Sequence, residues 1–236
     1  MHLFYAPDIG NSLFYELSRD ESHHAIKVLR LHKNEMIRLT DGKGNRFLAT
    51  ILEPSPGKCY VAIKEMKNYV EKRIYHLHIA IAPPKNINRF EIFLEKATET
   101  GIDEITPLIC ERSERKLFNH ERMEKILISA MKQAERSIKP KLHKFISLSE
   151  FVKISSSSAT GKYIASNAAE NKKSLFQCYA KERKAVVLIG PEGDFTSTEI
   201  LQALKAGFTP VSLGEYRLRT ETAGIVITSF IASQNY

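Results

Sequence analysis

Two loops in the C-terminal part of the chain combine residue types that favour binding of a small ligand. The first, Gly190-Pro191-Glu192-Gly193, directly follows the apolar run 185–189. The second, residues 213–222, follows the next apolar run. Glycines let a backbone approach a ligand closely, and the ring of a proline fixes the path of the chain between them. Ligands bind beyond the carboxyl ends of the strands in an open parallel sheet, so the two loops predict one shared pocket.

Both loops lack the usual phosphate-binding patterns. Neither Gly-x-x-x-x-Gly-Lys-Ser/Thr nor Gly-x-Gly-x-x-Gly is present, which argues against ATP or a dinucleotide. Backbone N–H and C=O groups at a strand end can instead bind an adenine edge without a charged side chain. Gly-Pro-Glu-Gly alone is also the composition of an ordinary tight turn. With the second loop one strand later, the pattern favours a ligand that has an adenosine but no phosphate chain.

An alternation of strands and helices positions these loops. Thr196-Ser197-Thr198-Glu199 forms a capping box, which predicts a helix that starts there and stops at Gly207. Apolar residues at helical spacing end at Gly101, which suits the position just after a helix. Strands are predicted at 77–81, 102–109, 163–165, 185–189 and 210–213, and further helices at 89–100, 120–137 and 221–233. The pattern predicts an α/β domain over residues 74–236, with a largely parallel sheet covered on both faces.

The first 70 residues show the shorter period of β-strands. Strands are predicted at 36–40, 46–51 and 59–64, with turn residues at 41–45 between the first two. A helix is predicted at 21–31, started by Ser18 or Asp20. These elements predict a small β-barrel domain over residues 1–70. Residues 67–73 form a predicted linker and 155–158 a predicted loop.

Charge indicates the class of partner. The chain of 236 residues carries a net charge of +8. Residues 111–144 alone hold ten Lys/Arg against five Asp/Glu. A concentrated excess of positive charge favours a polyanionic partner, because neutralising phosphates releases counterions. A solvated helix face or a membrane surface would carry the same excess, but no lipidation signal supports the membrane.

Other features of the composition indicate a cytoplasmic protein. The longest apolar run, 223–232, is interrupted by Thr228 and Ser229, so no membrane-spanning helix is predicted. The N-terminus lacks the pattern of a signal peptide. The three cysteines are widely spaced, which suits neither a zinc cluster nor a disulfide framework. The histidines at 23, 24, 76 and 78 have no metal-ligand spacing with cysteines or acids, so no metal is expected.

Several segments share the pattern of one known family. Residues 213–223 match Leu-Gly-x-x-x-Leu-Arg-x-Glu-Thr-Ala completely, and residues 190–196 match Gly-Pro-Glu-Gly-Gly-x-Ser/Thr except for Asp194. Ser113-Glu114-Arg115 follows a predicted strand, as in the family. Weaker matches are His-x-x-x-Val-Leu-Arg at residues 24–30, the turn Asp41-Gly42, and Lys132-Gln133-Ala134-Glu135-Arg136 in place of Glu-Gln-x-Gly-Arg. The sequence therefore resembles, over nearly its whole length, the RsmE family of 16S ribosomal RNA uridine-N3 methyltransferases of the SPOUT class.

The resemblance implies a fold, a cofactor and partners. It implies a PUA-like N-terminal barrel for RNA and a SPOUT-type C-terminal domain with a deep trefoil knot. It implies S-adenosylmethionine as the cofactor, a homodimer, and 16S ribosomal RNA in the small ribosomal subunit as the substrate. The expected cofactor contacts lie at the end of one strand and in both loops: Leu188, Ile189, Gly190, Pro191, Glu192, Gly193, Leu213, Gly214, Leu218 and Thr222.

Roles in catalysis and RNA binding follow from the chemistry of the implied reaction. The N3 proton of uridine must be lost, so the site needs a base or a cation that stabilises the uridine anion. Arg219 and Arg115 are candidates for the cation, although each could instead be exposed or bind a phosphate. Glu221 is a candidate for the base, but it could equally cap the last helix or orient Arg219. The expected RNA contacts are Arg30, Arg115, Lys132, Gln133 and Arg136.

Three alternatives stay open at this point. A methyltransferase of the same class could act on transfer RNA or on another ribosomal position. A non-catalytic RNA-binding module for ribosome assembly could keep the fold without activity, although the complete match at residues 213–223 argues against it. A nucleotide-binding protein of the doubly wound class is disfavoured by the missing phosphate loop.

Overall fold

The computed structural model describes residues 1–68, 75–155, 161–181 and 184–235. The chain forms two compact units. The first consists of Met1–Lys72 and Ile128–Lys139, and the second of Arg73–Leu127 and Pro140–Tyr236. The domain bounds 1–70 and 74–236 stay a prediction, but the segment 128–139 clusters with the N-terminal residues.

The first unit is built on one sheet. Its elements are β1 Leu3–Tyr5, β2 Phe14–Glu16, α1 Arg19–His23, β3 Met36–Thr40, β4 Asn45–Glu53 and β5 Tyr60–Asn68. The strand order is β1-β3-β4-β5-β2, with β1 parallel to β3 and the other pairs antiparallel. Alternate residues of β4, namely Phe47, Ala49 and Ile51, are buried in the core of this unit, as expected of a strand with one buried face. The three predicted strands are confirmed.

The predicted helix at 21–31 is shorter and less regular in the structure. Ser18 caps α1 through a hydrogen bond of 3.3 Å from the Glu21 N–H. A π-helical turn, His24–Val28, follows α1. Arg30 then has a positive φ of 57°, which ends the helical path because a left-handed residue cannot continue a right-handed helix. Of the predicted linker at 67–73, residues 67 and 68 belong to β5 and the rest lies outside the described residues.

The second unit contains an α/β sheet. Its elements are β6 His76–Ile81, α2 Ile87–Thr100, β7 Glu104–Ile109, α3 His120–Gln133, β8 Lys141–Leu142, β9 Ile146–Ser147, α4 Leu148–Ile154, β10 Gly161–Ala165, β11 Lys173–Ser174, α5 Leu175–Cys178, β12 Lys184–Ile189, α6 Ser197–Lys205, β13 Thr209–Ser212 and α7 Thr220–Gln234. The residues of α3 from Ile128 onward cluster with the first unit.

The strands of this sheet run in the order β11-β13-β10-β12-β6-β7-β8, and β9 also pairs with β7. All pairs between described strands are parallel, as predicted. Leu77 and Ile79 pack on one face with residues of α2 and α7, whereas Ala80 packs on the other with residues of α4 and α6. The prediction of a parallel sheet with apolar cores on both faces is therefore confirmed.

Short elements were missed because they carry too little periodicity to recognise. They include strands of two or three residues, such as β1, β8 and β11, and the short helix α5. Helix α4 did have a signal: Ser147 and Glu150 form a capping box, with both reciprocal hydrogen bonds present. Of the predicted loop 155–158, Ser155 caps the end of α4, and the remaining residues lie outside the described part of the chain. Among the described residues, none of the helices has the length and apolar content needed to cross a membrane.

Candidate active site

The carboxyl ends of β10, β12 and β13 surround one cavity of about 250 Å³ in the second unit. Both predicted loops line it, together with the loop that follows β10. Among the predicted cofactor contacts, the cavity is lined by Ile189, Gly190, Pro191, Glu192, Leu213, Gly214 and Leu218. The three other predicted contacts do not line the cavity: Leu188 is fully buried one residue before Ile189, Gly193 stands between the lining residues Glu192 and Asp194, and Thr222 lies half-buried in the first turn of α7.

Close packing explains the glycines of the first loop. A Cβ at Gly190 would lie 3.1 Å from the ring of Phe195 and 3.2 Å from its backbone nitrogen. Phe195 is buried in the core, so neither contact can relax easily. A Cβ at Gly193 would lie 3.3 Å from the side chain of Arg112, whose guanidinium donates to the Gly193 carbonyl at 2.8 Å. Glycine at both positions therefore allows the loop to pack tightly over the sheet.

Asp194 connects the first loop to the loop after β10. Its backbone has a positive φ of 62°, a conformation that aspartate tolerates better than most residues. One carboxylate oxygen, Oδ2, accepts hydrogen bonds from the Ser166 hydroxyl at 3.1 Å and from the N–H groups of Asn167 and Ala168 at 2.8 and 3.0 Å. The carboxylate that replaces the second glycine of the family pattern thus holds a wall of the cavity in place.

Sequence reasoning missed that wall. The cavity is also lined by residues without a predicted role: Ala165, Ser166, Asn167, Lys172, Asp194, Val211, Ser212, Tyr216, Arg217, Thr220 and Ala223. The strand at 163–165 was predicted, but its place between β12 and β13 was not. Local sequence patterns carry no strand order, so nothing indicated that the loop after this strand would join the pocket.

Replacing Asp194 should test these hydrogen bonds. We expect both Asp194→Ala and Asp194→Gly to lower the free energy of unfolding by about 1 kcal/mol, because the buried Ser166 hydroxyl and the exposed N–H groups of Asn167 and Ala168 lose a charged acceptor. Glycine has no steric penalty at positive φ, so the destabilisation of Asp194→Gly combines the lost hydrogen bonds with the greater freedom of glycine in the unfolded chain. Chemical denaturation measures the effect. The matched control is Asn171→Gly, an exposed residue with φ of 50°, which should not lose stability. A wild-type value for Asp194→Gly would contradict the role of the carboxylate.

The two loops are tied together by hydrogen bonds. The buried Thr220 hydroxyl donates to the Gly190 carbonyl at 3.1 Å. Arg217 donates to the Glu192 carbonyl at 2.7 Å, and a Glu192 carboxylate oxygen accepts from the Lys85 N–H at 3.0 Å. At the start of the second loop, the Ser212 hydroxyl donates to the Gly214 carbonyl at 2.8 Å. These contacts make the loops one connected rim rather than two independent turns.

Arg219 and Glu221 point to different surroundings. Arg219 precedes α7, lines the cavity and is exposed, and its side chain bonds to none of the residues that the structure describes. Glu221 is buried in the first turn of α7, with Oε1 3.8 Å from Nε of Arg89, and it is not among the cavity-lining residues. Its second oxygen, Oε2, is buried without a hydrogen bond to the described residues. The guanidinium of Arg219 is thus available to a ligand, whereas the carboxylate of Glu221 faces α2.

Arg115 lies after β7 and does not line the cavity. Its guanidinium donates to the Pro84 and Lys85 carbonyls, with Nε at 3.2 Å from each oxygen. Because the Lys85 N–H also donates to Glu192, Arg115 supports a turn that contacts the first loop. The structure therefore places this residue behind the rim.

The remaining RNA candidates belong to the first unit. Arg30 and Gln133 are exposed, whereas Arg136 is buried. Lys132 forms a largely buried ion pair with Glu21, at 2.6 Å between Nζ and Oε1. Of these four candidates, Arg30 and Gln133 therefore have the side chains that are accessible to a partner.

The departure at position 135 has a structural explanation. Glu135 has a positive φ of 50°, where the family pattern has glycine. Its carboxylate accepts two hydrogen bonds from Arg38, at 2.6 and 3.0 Å, and its carbonyl accepts one from Arg46. The charge of Arg38 holds the pKa of Glu135 below its ordinary value. This bidentate pair offsets the strain of a side chain at that position.

Two segments of the chain match known protein families. Residues 70–232 match the RNA methyltransferase domain, and residues 17–64 match the RNA methyltransferase PUA domain. A Ribosomal RNA small subunit methyltransferase E from Rickettsia conorii is 31% identical and covers 89% of this chain and 86% of its own length. The protein of that name from Aquifex aeolicus is 29% identical and covers 98% of this chain and 99% of its own.

Solved structures agree over the whole chain. A probable rRNA-methyltransferase from Porphyromonas gingivalis is 39% identical, with a TM-score of 0.91, and covers 100% of this chain and 98% of its own. A Ribosomal RNA small subunit methyltransferase E from Neisseria gonorrhoeae bound to S-adenosyl methionine is 28% identical, with a TM-score of 0.87, and covers 99% and 98%. The family resemblance seen in the motifs is therefore confirmed. The chain belongs to the RNA methyltransferase family, within the group of ribosomal RNA small subunit methyltransferase E, or RsmE, proteins.

Proposed function

We propose that this protein transfers the methyl group of S-adenosylmethionine to N3 of a uridine in 16S ribosomal RNA of the small ribosomal subunit. One observation carries the proposal: the two motif loops and the loop after β10 line the same cavity. Arg219 also lines this cavity, and its side chain has no hydrogen-bond partner among the described residues. The relatives' names support the substrate class, and the bound ligand of the Neisseria structure supports the cofactor.

The residues of the cavity suit S-adenosylmethionine. Apolar side chains such as Ile189, Leu213 and Leu218 line it and can contact the faces of an adenine ring. Backbone groups of the glycine-containing loops can hydrogen-bond its edge. The described residues of the rim include no Gly-Lys-Ser/Thr arrangement for phosphates, which fits a nucleoside without a phosphate chain.

In the proposed reaction, the protein aligns two reactants and stabilises charge. Bound S-adenosylmethionine supplies an electrophilic methyl group on a sulfonium. The loops would hold the bound cofactor so that its methyl group faces the attacking nitrogen, and such alignment can supply much of the rate. The N3 proton passes to solvent water, which leaves negative charge on the uracil ring. The guanidinium of Arg219 can stabilise that charge because it has no competing partner among the described residues.

The other catalytic candidates take supporting roles in this proposal. Deprotonation by Glu221 would require its carboxylate to leave the contact with Arg89. We therefore assign Glu221 to orienting the first turn of α7, which carries Arg219 at its start. Arg115 would hold the turn at Lys85 against the first loop. Arg30 and Gln133, exposed in the first unit, would contact RNA, whereas Lys132 and Arg136 would shape the surface around them.

The proposal also includes the finer features that the family resemblance implies. These are a closed N-terminal barrel, a trefoil knot at the cofactor pocket, a homodimer and a cytoplasmic location. The connection from β12 to β13 runs through α6, whose residues pack over the sheet face that includes Ile164 of β10; the knot itself is proposed from the family resemblance.

Methylation of defined ribosomal substrates tests the function. Small subunits from a strain that lacks this methylation would be incubated with the protein and S-adenosylmethionine, and the nucleosides analysed by mass spectrometry. We expect 3-methyluridine, formed faster on assembled subunits than on free RNA. Methylated cytosine, guanine or ribose would refute the assignment to uridine N3, and modification of transfer RNA alone would favour another substrate.

The non-catalytic alternative is tested separately by isothermal titration with S-adenosylmethionine. An assembly module that lost activity needs no cofactor. If S-adenosylmethionine does not bind at high micromolar concentration, the enzymatic proposal is contradicted, whatever RNA the protein binds.

A further inference from the structure

A cluster of ionisable side chains lies at the amino edge of the parallel sheet, at the opposite ends of the strands from the cavity. His76 and His78 lie on β6, Glu104 begins β7, and His143 follows β8. The register pairs His78 with Glu104 and sets Leu142 beside Ile105. Because alternate residues of a strand share a face, all four side chains project from the same face of the sheet.

The polar atoms of this cluster converge. Glu104 Oε2 lies 2.5 Å from His143 Nε2, and Glu104 Oε1 lies 3.1 Å from His76 Nε2. One potential ligand atom from each of His78, Glu104 and His143 lies within 4.8 Å of the other two. The ligand atoms of a tetrahedral zinc site at their usual bond lengths lie roughly 3.4 Å from one another. Small side-chain rotations would therefore bring the atoms of His78, Glu104 and His143 to coordination distance.

The orientation of the imidazoles is supported by their neighbours. His78 Nε2 is 2.7 Å from the Thr106 hydroxyl, and the rings of His78 and His143 stack with centroids 5.4 Å apart. The ring of Phe151 packs edge-on against His78 at 5.3 Å. Hydrogen bonds and packing of this kind hold the ligands of metal sites in productive geometry.

The ligand chemistry of the cluster also suits a metal. The imidazole nitrogens of His78 and His143 and a carboxylate oxygen of Glu104 are the kinds of ligand that zinc and neighbouring divalent metals take.

The sequence predicted no metal at His76 and His78, because no cysteine or acid stands at metal-ligand spacing near them. The tertiary structure brings Glu104 and His143 to them from distant positions. We propose that His78, Glu104 and His143, with His76 as a fourth ligand, bind one divalent transition metal of the zinc class. The metal joins β6, β7 and the segment after β8. It is structural, because His78 and Glu104 lie three residues, or about 10 Å of strand, before the carboxyl end of the sheet that faces the cavity.

Metal titration of the untagged full-length chain tests the site. The chain is first dialysed against a chelator, then titrated with Co²⁺, whose visible absorption reports a low-coordinate site. We expect one Co²⁺ per chain and its displacement by Zn²⁺. Saturating Zn²⁺ should raise the Tm by about 5 °C, because a ligand that binds only the folded state stabilises it. No absorption and no Tm shift would mean that the cluster is only an ion-pair network.

Variants locate the metal. His143→Ala and the nearly isosteric Glu104→Gln should each weaken Co²⁺ binding at least roughly tenfold. His120→Ala, an exposed histidine of the same unit outside the cluster, should bind like the wild type. Circular dichroism checks that each variant is folded, and Glu104→Gln keeps the test valid if His143→Ala fails to fold. Unchanged Co²⁺ affinity in a folded Glu104→Gln would overturn the proposed site.

Discussion

Arg219→Ala is expected to lower the rate of methyl transfer by about 10²- to 10³-fold, the usual effect of removing one group that stabilises transition-state charge. Arg219 lines the cavity and bonds to none of the described residues, so its guanidinium can pair with the uridine anion. The affinity for S-adenosylmethionine should change little, because the backbone loops rather than Arg219 hold the adenosine. Single-turnover transfer and isothermal titration separate the two effects.

Two further variants sharpen this prediction. Arg219→Lys keeps the charge but loses the planar fork of donors, so we expect only partial recovery of the rate. Arg122→Ala, a surface arginine of α3 that pairs with Glu91, should transfer methyl groups at the wild-type rate. Near-normal turnover of Arg219→Ala would remove this residue from the reacting centre, while the proposed cofactor pocket would stand.

Gly224→Ala is expected to lower the free energy of unfolding by about 2 kcal/mol, as over-packing of a dense core does. Gly224 lies within α7, where a Cβ would approach the Phe93 ring to 2.5 Å. Phe93 belongs to α2 and is fully buried, so the ring has little room to move. Alanine favours a helix over glycine by about 1 kcal/mol, which partly offsets the clash. Chemical denaturation gives the net change.

Controls separate the clash from a general effect of Gly→Ala changes. A Cβ added at Gly57 would meet no heavy atom within 4 Å, so Gly57→Ala should be near neutral. Phe93→Leu combined with Gly224→Ala should cost less than the sum of the two single changes, because the smaller side chain makes room. Stability of Gly224→Ala at or above the wild type would show that α2 and α7 can move apart.

The local sequence predicted the elements with strong periodicity. Residues 77–81 and 185–189 are apolar runs of strand length, and 89–100 repeats apolar residues at helical spacing, so each element is recognisable without its neighbours. The capping box at 196–199 and the glycine at 101 marked helix ends for the same reason. The two motif loops were also predicted, because each directly follows a predicted strand.

Contacts between distant segments were not predictable in this way. Asp194 accepts hydrogen bonds from residues 166–168, and its departure from the family pattern is explained only by that turn. Glu135 is stabilised by Arg38, nearly a hundred positions earlier. Both residues have positive φ, which a single sequence does not reveal when the residue is not glycine.

The two loops from which a ligand pocket was first inferred show where sequence and tertiary structure divide. The sequence by itself determined the loops, their glycines, the lack of a phosphate-binding pattern and the family, because these depend on neighbouring residues. The tertiary structure alone decided that β10 lies between β12 and β13, that Arg219 faces the cavity while Glu221 faces α2, and that His78, Glu104 and His143 meet. Strand order and side-chain direction arise from packing between segments far apart in the chain, and local patterns carry no record of it.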